Sequence, residues 1–259
     1  MQQIKMVTIN TWKCDGDYRL RLRALTSQLK ALQPSLIACQ ECFFSPGAAD
    51  TLGFLASELQ MESRFLPARP KKRLFENQWV DSWSGLGVLS IFPFGESHTF
   101  DLPNTQEDPD RKVQQLIVPL PGGTTLQLTH VHLTHLIHSP LQKMQFDALT
   151  KIVASQSADI HVLCGDWNTT IDSDLLTSFL KDTKSVDAYL AGGGREPRYS
   201  MRDEYLAEKM VCVDHMLLCP SAQPMPRCRD AAIVLHRKDE TTGVYASDHF
   251  GISVTLSID

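Results

Sequence analysis

Short apolar runs recur along the whole chain, and most of them end in a polar residue. IKMVTIN, SLIACQE, SGLGVLSIFP, KVQQLIVPL, TLQLTHVHL, DIHVLCGDWN, VCVDHMLLC, AAIVL and FGISVTLSI all read as strands, being brief and apolar. They are too many for one flat sheet in a chain of 259 residues. Longer amphipathic segments alternate with them. YRLRLRALTSQLKALQP places Leu22, Leu25, Leu29 and Leu32 on one helical face and stops at Pro34. SPGAADTLGFLASEL is predicted to open a helix with Ser45 as cap and Pro46 at the first helical position, and SPLQKMQFDALTKIVASQ repeats that start at Ser139 and Pro140. Strands buried both between sheets and under helices must be apolar on both sides, so two facing sheets with helices outside satisfy the pattern. A doubly wound single sheet is the alternative, but neither GxGxxG nor GxxxxGK[ST] follows any strand.

No linker, low-complexity tract or repeat divides the chain, which favours one domain over residues 1–259. No apolar run reaches the roughly 20 residues a bilayer requires. The start, MQQIKMVTINTW, lacks a leader pattern, and the expectation is a soluble, cytoplasmic protein. Seven scattered cysteines, an odd number, suit reduced thiols. Cys39 and Cys42 form a CxxC with no second pair to complete a zinc site. A net charge of -5 argues against a general coater of duplex nucleic acid and leaves a locally held phosphate ester open. One basic stretch, RFLPARPKKR, carries Arg64, Arg69, Lys71, Lys72 and Arg73; it reads as a solvated loop that could face an anionic substrate.

The segment HVHLTHLIH packs four of the nine histidines into residues 130–138. On a strand, His130 and His132 share a face, and a zinc hydrolase using His130, His132 and His135 is one reading. HVHLTH departs from the metallo-β-lactamase-like HxHxDH at Thr134, whose hydroxyl is a poor metal ligand. TINTW, ACQEC, LCGDWNTT, CVDHMLL and YASDHFG make a stronger constellation, with carboxylates, amides and imidazoles at strand ends.

In this order, these elements resemble the endonuclease/exonuclease/phosphatase superfamily, the deoxyribonuclease I-like metal-dependent phosphoesterases, from Asn10 to His249. GDWN and SDH are the most specific parts. The resemblance implies an α/β (α+β) fold, a four-layer αββα sandwich of two facing mixed β-sheets with helices outside. It implies in-line hydrolysis of a phosphate ester, more readily a diester of nucleic acid, nucleotide or phospholipid head group than a monoester. Glu41 would be the main metal ligand, with Asn10 and Asp248 beside it; such hard oxygen donors suit Mg²⁺, with Mn²⁺ able to substitute. Asp166 would deprotonate the attacking water, and Asn168 would hold that water or a phosphate oxygen. His249 would donate to the phosphate, with Asp214 fixing its tautomer and charge.

Two histidines, His130 and His132, compete for the phosphate contact. His132 is preferred, because Leu133 follows it and Gln142 and Gln145 then open the next helix. Trp12 stands where many nucleases carry an acidic residue, which favours one metal over two. His215 replaces a usual aromatic, Trp167 sits inside GDxN, and Asp187 reads as a turn or cap residue. Segments 64–84, with Trp79 and Trp83, 104–112 and 191–205 should wall the site. Besides a zinc hydrolase, the rivals are a phosphomonoesterase of the same fold and a catalytically silent phosphate-binding module. Oligomeric state is not legible.

Overall fold

The computed structural model describes residues 2–155, 158–201 and 211–258. Two mixed sheets face each other. The first has strand order β13 (Arg227–Val234), β14 (Gly251–Ile258), β1 (Gln2–Asn10), β2 (Leu36–Ser45), β6 (Gln78–Ser90), β4 (Glu62–Leu66), with β3 (Ala49–Asp50) on β2 and β5 (Lys71–Phe75) on β6. The second runs β11 (Val186–Asp187), β12 (Asp214–Cys219), β10 (Ile160–Asp166), β9 (Thr125–His132), β8 (Lys112–Pro119), β7 (Ser97–Asp101). Ile4, Met6, Leu126, Leu128, Val162, Met216 and Val254 pack between the sheets. Helices α1 (Tyr18–Leu32) and α2 (Thr51–Leu59) cover one outer face through Leu25, Leu29, Leu52 and Leu55. Helices α3 (Pro140–Ala154) and α4 (Asp174–Thr183) cover the other through Phe146, Leu149, Leu176 and Phe179. This is the four-layer αββα sandwich that the family resemblance implies, and not the doubly wound single sheet that the apolar pattern also allowed.

Each sheet is centred on one parallel pair joined by a helix, β1 with β2 across α1 and β9 with β10 across α3. A parallel pair aligns both carboxyl ends, and antiparallel neighbours bring their starts to that same end. The carboxyl ends of β1, β2, β9 and β10 and the starts of β12 and β14 therefore meet on one edge of the sandwich.

Capping follows the sequence expectation at α3, and α1 has a cap of the usual type. Asp17 accepts from the N–H of Leu20 at α1, and Ser139 caps α3 with Pro140 following. The expected start of α2 at Ser45 and Pro46 is wrong. Ser45 is the last residue of β2 and donates its hydroxyl to the carbonyl of Asp81, while the chain turns at Gly47 into β3. Asp50 is the cap, accepting from the N–H of Gly53. The basic stretch is also misread as loop, because β6 is long enough to pair with both β4 and β5 and leaves only residues 67–70 between them. Of the expected wall segment 191–205, residues 202–205 lie outside the described residues. No helix among those described is long and apolar enough to cross a membrane.

Candidate active site

Strand register builds the floor of the site. Asp166, the last residue of β10, lies opposite His132 of β9 on one side and Asp214 of β12 on the other. Gly165 makes this close pairing feasible: its φ is +145°, and a Cβ there would lie 1.9 Å from the carbonyl oxygen of Val131. That is a physical reason for the glycine of GDWN.

Asp166 is buried and held from several directions. Asn10 donates its side-chain amide to Oδ2 at 3.0 Å, and the backbone N–H of Asn168 donates to Oδ1 at 3.0 Å. His132 Nε2 lies 3.4 Å from Oδ2, and His249 Nε2 lies 4.0 Å from it. Burial, reinforced by the charge of Asp214, pushes the Asp166 carboxyl up to about 7, although His249 and the two donors pull the other way. Asn168 has a left-handed backbone, φ 50°, and ties its amide to the carbonyl of Leu133. Gln142 and Gln145, buried on α3, fasten the same loops through the carbonyl of Asn168 and the N–H of Thr134.

His249 and Asp214 form a buried pair, Nδ1 to Oδ2 at 2.8 Å. Burial opposes charge on the imidazole, but Asp214, then Asp166 and Asp248, outweigh it and raise His249 to about 10. His132 has the opposite character. Burial, with Arg111 and Arg69 nearby, holds it well below the ordinary histidine range. The floor thus carries a cationic imidazole on one side of Asp166 and a neutral one on the other. Ser200 braces the pair by accepting from the N–H groups of Val213 and Asp214.

Glu41 is aimed by a β-bulge. Pairing between β2 and β6 shifts between Cys39 and Cys42, and Glu41 takes φ 55°. The extra residue lets Cys39 and Cys42 both face the outer core while Gln40 points between the sheets. A left-handed non-glycine residue costs of order 1 kcal/mol or more, and such strain concentrates at functional sites. Asp248, half-buried, accepts from the hydroxyl of Ser247; burial, with Glu41 close by, raises its carboxyl. Two mutually repelling carboxylates at the foot of an open cleft, with the amide oxygen of Asn10, whose nitrogen is tied to Asp166, form a hard oxygen donor set that fits a partly hydrated divalent ion. That amide oxygen already accepts from the N–H of Trp12, which leaves it one further lone pair.

The sequence reading missed Lys13. Its ammonium lies 3.2 Å from Glu41 Oε2. Trp12 and Lys13 are both left-handed, and buried Arg21 holds the turn by donating to the carbonyls of Thr11, Trp12, Lys13, Asp15 and Ala246 while stacking on the Trp12 ring. Nothing in the spacing around Asn10 announces that turn.

The three histidines of the zinc reading do not converge. His130 lies between the sheets, 2.6 Å from the side-chain nitrogen of Gln40, and burial lowers it to about 3. His135 is half-exposed and turned to Asp108 and Arg111. Among the described residues, the donor atoms that do gather within 4.8 Å belong to Asp166, Asp214 and His249. Since a proton bridges His249 to Asp214 in a 2.8 Å hydrogen bond, we read that group as a proton-holding cluster. Asp187 caps helix α5 (Ala188–Ala191) and pairs with Arg198, and His215 packs edge-on to Trp167 with its Nε2 2.8 Å from the carbonyl of Thr169.

Above the floor opens a cleft of about 920 Å³. The basic stretch lines it with Arg69, Lys71, Lys72 and Arg73 and is not a detached surface loop. The exposed faces of Leu74 and Trp79, cross-strand partners in the β5–β6 hairpin, stand at its rim. Trp83 instead packs against Phe44.

Comparison with known proteins agrees with this fold. Among solved structures, an endonuclease/exonuclease/phosphatase from Beutenbergia cavernae superposes with TM-score 0.74 at 18% identity, over 100% of this chain and 72% of that one. D. rerio TDP2 complexed with single strand DNA product gives 0.74 at 19% identity over 100% of both chains. The human Nocturnin catalytic domain with bound sulfate anion gives 0.73 at 18%, over 99% of this chain and 95% of that one. No curated protein matches the sequence. The Endonuclease/Exonuclease/phosphatase family profile matches residues 7–249, a span that runs from β1 through His249, and the chain belongs to that family.

Proposed function

We propose that this chain, as one domain over residues 1–259, is a Mg²⁺-dependent phosphoesterase that hydrolyses a phosphodiester, with Mn²⁺ able to substitute. The observation that carries the reading is the setting of Asp166: a carboxyl raised to about 7, oriented by Asn10 and Asn168, between a neutral and a cationic imidazole. A general base works best when its pKa lies near the operating pH, and this one does.

Glu41 and Asp248, with Asn10, would hold the divalent ion; bound there, it polarises the phosphoryl group and offsets its charge. The chain's own groups perform the rest. Asp166, fixed in direction by its two amide donors, takes the proton of the attacking water while the bond from phosphorus to the leaving oxygen breaks in line, and that oxygen takes a proton from solvent. The 4.0 Å between Asp166 and His249 Nε2 is too long for a direct hydrogen bond, and an oxygen between them would contact both. His249, kept cationic by Asp214, donates to the phosphate as negative charge builds on it. His132, neutral, offers Nε2 to the same phosphate. Asn168 steadies the water or a phosphate oxygen. Because both His249 and the cleft wall are cationic, a substrate that stays anionic throughout the reaction is accommodated at every stage.

The test is hydrolysis of bis(4-nitrophenyl) phosphate beside 4-nitrophenyl phosphate, with Mg²⁺, Mn²⁺, Zn²⁺ or chelator. Turnover of the diester that requires Mg²⁺ or Mn²⁺ is expected. Preference for the monoester would move the enzyme to phosphomonoesterases, and full activity in chelator would remove the metal from the account.

A further inference from the structure

Beside His132, the wall of the cleft carries a pair of arginines on a single buried carboxylate. Asp108 is fully buried; Arg111, also buried, donates Nε to both of its oxygens at 3.0 Å, and Arg69 Nη1 reaches Oδ1 at 3.2 Å. Arg111 also donates to the carbonyl of His132. Of the other carboxylates lining this part of the cleft, Asp110 is engaged by Lys112 at 3.2 Å and by the backbone N–H of Arg69, and Glu41 is engaged by Lys13 at 3.2 Å. Arg69 itself sits in a left-handed conformation, φ 53°, and its side chain remains 29% exposed at the cleft. Burial and the charge of Arg111 both act to lower Arg69, which marks two guanidiniums crowded at one partly desolvated wall. Asp108 and the more distant charge of Glu41 offset part of this positive charge, but Arg69 meets Asp108 through Nη1 alone, and a ligand anion can engage the rest of its exposed fork.

We propose that Arg69 and Arg111, seated on Asp108, form a second anion subsite next to the scissile position, and that the substrate is a phosphate ester bearing a further phosphate. The inference rests on the phosphoesterase reading for the identity of the first position. Arg69 supplies the exposed fork that meets the second phosphate. Arg111 stays fixed to Asp108 and to the carbonyl of His132, so the spacing between the two positions is set by the β9 end.

The experiment is calorimetric titration of the full chain in chelator, where turnover does not enter, with inorganic phosphate, pyrophosphate and thymidine 3′,5′-bisphosphate as probes. At least one two-phosphate probe should bind about tenfold tighter than inorganic phosphate, and Arg69→Gln, which keeps an amide donor for Asp108, should bring the two within about twofold. Pyrophosphate as the tighter probe means adjoining phosphates, and the bisphosphate means phosphates separated by a sugar. If Arg69→Gln does not fold, Arg69→Lys is read in its place and must reduce the preference at least about threefold. No preference in the parent protein, or a preference that survives substitution of Arg69, overturns the proposal. Failure of the diester assay above with a retained two-phosphate preference would instead count against catalysis and leave the subsite standing.

Discussion

The floor of the cleft and its rim are built by different means. On the floor, Asp166, His132 and Asp214 are neighbours because β9, β10 and β12 are in register, and one glycine lets the strands close up. At the rim, Arg69, Arg73 and Trp79 owe their places to one long strand, β6, which recruits two short partners and a loop tied down by Asp110. The floor's geometry is that of strands in register within one sheet, and the rim's is that of a hairpin and a short loop hung on one long strand. Floors of this kind fix a reaction, whereas rims choose a substrate.

This contrast can be broken by substitution. Apart from loss of the base itself, the largest effect is expected for His249→Gln, a loss of about a thousandfold in kcat, since the cation facing the phosphate disappears; a loss under tenfold would move His249 out of the reaction. Asp214→Asn should cost about a hundredfold. It carries a second readout in metal-free protein. A histidine raised by its partner is cationic below its folded pKa and loses charge as pH rises through it, so ring NMR should find His249 protonated up to about pH 10 in the parent protein. In Asp214→Asn that transition should fall toward the ordinary value, and an unmoved transition would contradict the pairing. Glu41→Gln should raise the Mg²⁺ concentration for half activation by about tenfold or more. An unchanged requirement would exclude Glu41 as a ligand. Smallest is Trp79→Ala at the rim, expected to raise KM a few-fold for a natural substrate with kcat and melting temperature almost unaltered, because the side chain is 71% exposed.

Much of the floor was legible in the sequence because its residues sit at strand ends, where apolar runs stop and polar residues begin. Asn10, Asp166 and His249 could be read from TINTW, GDWN and SDH. Glu41 was found by its motif, yet the bulge that aims it leaves no periodic trace. His130 and His132 share a face and were separable only by depth, which depends on the partner sheet: one meets Gln40, the other meets Asp166. Arg69 was legible only as part of a basic stretch that could face an anionic substrate, and 104–112 only as a wall segment, because the Arg69–Asp108 contact joins segments far apart in sequence; Lys13 escaped because the left-handed turn that aims it has no signature in its spacing. The start of α2 failed for a local reason, as Ser45 and Pro46 can open a turn as readily as a helix.

The most direct test of the account is the activity of Asp166→Asn against the parent protein on the same activated phosphodiester, with both melting curves recorded. The substitution keeps the shape of the side chain and its place in the strand pair, and removes the base. A fall of about a thousandfold or more in kcat, with melting temperature little lowered, is the result the account predicts. An Asn variant that turns over at the parent rate would contradict it, because no other carboxylate of the floor lies between the two imidazoles.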